Sequence, residues 1–267
     1  MARLLEGGCR VSGLKEGRPR SVPGLRVWAR AGRASGAKAI SLRVMEFAPG
    51  FSAGLRNPDA DEVLYVLEGE ATAHVDGWPY AVGPETGIYL RPGACLTVDN
   101  PGPRPLTLLG ARCPDPGDAP ASGEPCPGLA GDAPRPSPSP VVRLRDRPSQ
   151  ATGDRSYQVL VDGSIGCDAV TQFVGTIPPG RAPDHFHHYE EVLCVLEGRG
   201  RMWAGRSRTA IGRGSCVFLP RRQVHCVENL GPGPLRLLGV FYPAGSPAAR
   251  VEKHRTASST SKAKPRK

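Results

Sequence analysis

The chain alternates short apolar runs with turn-forming residues and nowhere sustains a helical period. "QVLVDG", "AVTQFVGTI", "EVLCVLEG", "GRMWAG", "SCVFLP", "VHCVEN" and "LRLLGVFY" are all short. Several place an apolar residue at every second position, with Gly, Pro, Asn or Asp near the breaks. A period of two bounded by turn residues predicts antiparallel strands of a small barrel or sandwich. The 34 Gly and 29 Pro in 267 residues supply many turns and leave little room for helix. The expected fold class is all-β.

The pattern also repeats. "EVLYVLEG" at 62–69 returns as "EVLCVLEG" at 191–198, and "NPGPRPLTLLG" at 100–110 returns as "NLGPGPLRLLG" at 229–239, both 129 residues on. Two matches at one spacing indicate two copies of one domain, expected at 36–111 and 142–245. Residues 112–141 are rich in Pro, Gly, Ala and Asp without apolar periodicity and are expected to form a linker.

A formal charge of +10 raises the question of nucleic acid. Residues 1–35 carry eight Arg/Lys against two Glu, and residues 250–267 carry seven against one. The ends therefore account for the whole excess, and 36–249 is slightly acidic. Charge and Gly/Ser content predict disorder for 1–35 and 246–267. A specific nucleic-acid surface needs a basic folded face with aromatics, so none is expected. No apolar run approaches 18 residues, and the N-terminus has no apolar core of signal-peptide length. The eight cysteines contain no C-x-x-C pair and are expected as free thiols in the cytoplasm, with no zinc-finger spacing.

Candidate chemistry concentrates in "PDHFHHYEEVLCVLEG", which holds three of the six histidines. On a strand His185 and His187 share a face, and His188 takes the other. Two imidazoles facing one way in an apolar barrel cost desolvation unless their lone pairs are used, and a divalent metal uses them. Glu191 can add an anionic oxygen and His225, from "VHCVEN", a third nitrogen. This set suits one first-row metal with positions left open.

These residues fall into two motifs. Gly180, His185, His187, Glu191 and Gly198 form the first, and Gly214, Pro220, His225 and Asn229 the second. In this respect domain two resembles the cupins, whose motifs read G-x5-H-x-H-x3-4-E-x6-G and G-x5-P-x-G-x2-H-x3-N. One spacer is a residue short, and Arg222 stands where that family prefers Gly. The resemblance implies a double-stranded β-helix with a metal inside. With the repeat, it implies a bicupin with one divalent transition metal, iron(II) foremost and Mn, Ni, Zn or Co as alternatives.

Projection by 129 residues places Arg56, Pro58, Glu62 and Leu96 at the ligand positions of domain one. Only the carboxylate is kept, and His74 is isolated, so domain one is expected to be metal-free. Glu62 is read as a salt-bridged or exposed remnant, or else as half of an Arg56–Glu62 pair that binds an organic anion.

The resemblance leaves the reaction open among several classes. The leading expectation is a dioxygenase-type oxidoreductase acting on a small oxygenated metabolite. Non-redox isomerisation, cyclisation or decarboxylation is the alternative, and a non-catalytic binding module comes third. Tyr189 and Glu190 are candidates for proton transfer or for a supporting role. Trp203, Phe218 and Tyr242 are read as core packing, Cys226 as outer-layer packing, and Arg221 with Arg222 as a turn that could also steer an anion. The expected partner is a small-molecule substrate, without nucleic acid or membrane and with a homodimer left open.

Overall fold

The computed structural model describes residues 2–114, 117, 122–123, 126, 134–249 and 251–252. Helix among them is limited to four short 3-10 turns, such as Arg33–Ser35 and Gly163–Ile165. Everything else that is regular is antiparallel strand, as the period of two predicts.

Each copy is a large sheet facing a small one. The large sheet of copy one runs Val141–Arg143, Thr86–Leu90, Asp61–Glu68, Leu106–Cys113, Ser41–Phe47, Leu25–Ala31, Arg20–Val22. Its small sheet is built on Ala71–Val75 and Cys95–Asn100. In copy two the large sheet is centred on Glu190–Glu197, Leu235–Tyr242 and Thr171–Ile177, and the small one on Arg199–Ala204 and His225–Asn229.

Alternation along the strands decides where each side chain packs. In Ser41–Phe47, Met45 and Phe47 point into barrel one, while Leu42 and Val44 point out of it. The outward residues, with Val63 and Leu109, pack against Val174, Val192, Phe218 and Leu238 of copy two. The two large sheets thus share a core, and a separate core fills each barrel.

The repeat is longer than the sequence matches show, because each copy begins with an arm that crosses to the other barrel. Arg10–Gly13 pairs with Ser215–Leu219 of copy two, Val11 opposite Val217. Val141–Arg143 pairs with Thr86–Leu90 of copy one, Val142 opposite Gly87. Each arm closes an open sheet edge, which would otherwise present unpaired backbone groups.

Disorder across 1–35 is therefore corrected: the strands Arg3–Leu4, Arg10–Gly13, Arg20–Val22 and Leu25–Ala31 run through this segment. Cys9, Val11, Leu25, Val27 and Trp28 are buried and supply the apolar area that ordering requires. Its charges are satisfied locally. Lys15 and Arg26 both pair with Glu46, and Arg30 donates to the carbonyls of Gly13 and Glu16. Disorder of 246–267 is corrected in part, since residues 246–249 are placed and Val251–Glu252 forms a strand; residues 253–267 lie outside the described residues. Half of the expected linker also lies outside them, although Ser122–Gly123 pairs with Gly54–Arg56.

The expectation of eight free thiols is corrected too. Cys95 and Cys126 form a disulfide with a Cα–Cα distance of 5.7 Å, which fastens the inter-domain segment to small sheet one. The spacing of 31 residues carries no local sequence signal. The other six cysteines are buried. No helix among the described residues is long and apolar enough to cross a membrane.

Candidate metal centre

The small sheet of copy two brings three histidines together. His185 lies on the short strand His185–Phe186 and pairs directly opposite His225, so cross-strand geometry makes the two rings neighbours. His187 follows beyond the strand end. Ring centroids stand 4.5 Å apart for His185 and His225, 5.0 Å for His185 and His187, and 5.2 Å for His187 and His225. One nitrogen from each falls within 4.8 Å of the others. Glu191 enters from the large sheet with its carboxylate 3.8 Å from His187 Nε2, beside this group rather than within it. His188 is exposed, as its place on the opposite face predicts.

Backbone carbonyls orient all three rings. His185 Nδ1 bonds the Pro183 carbonyl at 3.0 Å, His187 Nδ1 that of Ala249 at 3.0 Å, and His225 Nδ1 that of Gln223 at 2.8 Å. A carbonyl can only accept, so each Nδ1 carries a proton, and Nε2 is the ring nitrogen left to act as a ligand. Carbonyl-held imidazoles of this kind are the usual outer support of metal-ligating histidines.

Burial sets the electrostatics. It pushes the Glu191 carboxyl up to about 8. Burial, and then the neighbouring His185 charge, brings the His225 ring down to about 3, while its bond to the Gln223 carbonyl acts the other way. Burial disfavours the charged form of Glu191, and a divalent cation beside it would offset that cost. The donor set fits such an ion.

These side chains line a cavity of about 110 Å³. Its remaining wall includes Arg155, Tyr157, Phe173, Val227, Pro247 and Ala248. Sequence reasoning did not find Arg155 and Tyr157. They are two apart in "RSYQVLV", hence on one face of Arg155–Val161, but nothing local shows that this face looks onto a metal site.

The other candidates are placed elsewhere. Glu190 accepts the Lys38 and Ala39 amides of copy one and holds the domain interface, so it is not a proton shuttle. Tyr189 is stacked between His187 at 4.6 Å and Phe241 at 4.2 Å, a supporting position. Phe218 and Tyr242 pack at the shared core. Trp203 lies on the outer face under Arg181 and Arg208 and donates to Glu228. Cys226 is buried on that face against Arg181. Arg221 and Arg222 are exposed, and Arg222 adopts φ +61, the conformation for which a glycine is suited.

Among the described residues, copy one brings no comparable group of ligating side chains together. Leu55 is the residue opposite Leu96, as His185 is opposite His225, so Leu55 rather than Arg56 is the counterpart of His185. The spacing between copies is thus 130 residues before this point and 129 after Glu62. Arg56 is exposed and does not reach Glu62. Glu62 is instead buried against Arg43 at 2.5 Å and Arg112 at 3.4 Å.

Two stretches, residues 43–111 and 173–241, match the Cupin domain family and together cover just over half of the chain. The chain belongs to the cupins. Both copies match, so it is a bicupin. An uncharacterised protein of Methanocaldococcus jannaschii is 33% identical over 69 residues. That match takes in 25% of this bicupin and 55% of the relative, so the chain spans about half the length of the curated relative it matches. Among solved structures, a mutant oxalate decarboxylase of Bacillus subtilis aligns with a TM-score of 0.73 at 16% identity, covering 91% of this chain and 78% of that one. A putative glyoxylate-induced protein of Pseudomonas aeruginosa aligns at 0.70 and 21% identity, covering 97% and 94%. At these identities the likeness is one of fold.

Proposed function

We propose that the bicupin is a metal-dependent enzyme whose C-terminal barrel holds one divalent ion on His185, His187, Glu191 and His225. It acts there on a small oxygenated organic anion by dioxygenase-type chemistry. The observation that carries this reading is the convergence of three imidazole rings, each oriented by an Nδ1–carbonyl bond, beside Glu191 in a small cavity. A bound iron or manganese would supply Lewis acidity and open positions for substrate and O₂. The protein's own residues hold and orient. Arg155, which also pairs with Asp154 at 3.5 Å, brings a guanidinium to the cavity wall, Phe173 and Val227 exclude water, and the carbonyls of Pro183, Ala249 and Gln223 keep the imidazoles aimed.

Proton-transfer chemistry is most often served by an imidazole or carboxylate that is not itself a ligand. Among the described residues lining the cavity, Glu191 is the only carboxylate, which favours a reaction needing no separate base. A second reading, decarboxylation without net oxidation, draws on the fold shared with oxalate decarboxylases, one of which has Mn(II) centres. A screen of small oxo- and hydroxycarboxylates with O₂ uptake and CO₂ release followed together tests both. Stoichiometric O₂ consumption is expected. CO₂ without O₂ uptake would replace the first reading with the second, and neither gas from metal-loaded protein would indicate a binding module.

A further inference from the structure

We propose that residues 246–249, with the strand Val251–Glu252, act as a strap that completes the metal centre, with the Ala249 carbonyl as the positioning group of His187. The inference rests on the metal-centre reading above. Three observations meet at this segment. His187 Nδ1 bonds the Ala249 carbonyl at 3.0 Å. Val251–Glu252 pairs antiparallel with His185–Phe186, Glu252 opposite His185 and Val251 opposite Phe186. Pro247 and Ala248 form part of the cavity wall.

The three histidines differ in where their support comes from. His185 and His225 each use a carbonyl two residues earlier in their own loops. His187 Nδ1 takes its acceptor from a segment 62 residues away. The Nδ1 bond keeps Nε2 unprotonated and aimed at the site, so losing it frees the ring to turn or to take the other tautomer. His187 is therefore a full ligand only while the strap is seated.

The strap is built to seat and to release. Just before it the chain is pinned: the Gly245 amide donates to Thr171 Oγ1 at 3.1 Å, Thr171 Oγ1 donates to the Gly245 carbonyl at 3.0 Å, and the Ala244 amide bonds the Ala169 carbonyl at 2.7 Å. Beyond that anchor a turn, closed by the Ala249 amide on the Ser246 carbonyl at 2.9 Å, carries the chain over the cavity to a strand of two residues. So short an edge pairing opens at far lower cost than the barrel beneath it. Metal and substrate enter where the strap lifts.

The test compares metal affinity, by chelator competition with Mn(II), in four proteins: the full chain, chains ending at Glu252 and at Gly245, and full-length Ala249→Pro, which removes the turn-closing amide. The melting temperatures of the metal-free proteins are measured alongside. The chain ending at Glu252 should match the full chain. The chain ending at Gly245 and Ala249→Pro should bind about 10- to 100-fold more weakly, as loss of an outer-shell partner does. Their Mn(II) EPR spectra should shift toward that of His187→Ala, and their metal-free melting temperatures should stay unchanged. Equal affinity for the full chain and the chain ending at Gly245 would overturn the strap. Weaker binding accompanied by a comparable loss of metal-free stability would also overturn it, in favour of a purely structural tail. A full chain that binds no Mn(II) would overturn the metal-centre reading itself.

Discussion

Glu62 and Glu191 are one residue of the repeat in two electrostatic settings. Around Glu191 the neighbouring strands contribute Phe173, opposite Gly239, and Phe241, opposite Thr171. At the matching places around Glu62 stand Arg43, opposite Gly110, and Arg112, opposite Ser41. Two guanidiniums in copy one thus do the neutralising that a metal ion would do in copy two. Glu62→Gln removes the carboxylate that both buried arginines share and should cost about 3 kcal/mol. For a chain of this size that lowers the melting temperature by about 6 °C or more while metal content stays the same. An unchanged melting curve would show that the pair contributes no net stability. The histidine set was legible because H-x-H is local and periodic. Arg43 was not, because its role depends on which strand lies beside it and on complete burial.

At the scale of elements, the crossed arms are the main departure from what the sequence suggested. Arg10–Gly13 spans four residues and its partner lies at Ser215–Leu219, so local pattern could not reveal it. The surrounding basic residues resemble a solvated tail until their partners are known. The repeat itself was legible in the strands that face both cores, where apolar identity is constrained on each side. Deleting residues 1–13 strips Leu5, Cys9 and Val11 from the core of copy two and uncovers a sheet edge. At about 1.5 kcal/mol per buried apolar side chain the loss exceeds 3 kcal/mol. A fall in melting temperature beyond about 5 °C is expected on thermal denaturation. No change would mean that the arm adds nothing to the barrel.

At the scale of the molecule, two barrels of one ancestry divide the work. Copy one fills the position of a metal centre with Leu55, Leu96 and an internal ion network, and gives its outer face to the shared core. Copy two keeps the histidines and the cavity. The direct measurement is metal content per chain after loading with Mn(II) or Fe(II) and removal of excess, for wild type, His188→Ala and His225→Ala. The account predicts one ion in wild type and in His188→Ala, whose altered ring is exposed, and almost none in His225→Ala. Two tightly held ions in wild type, or full retention in His225→Ala, would contradict it.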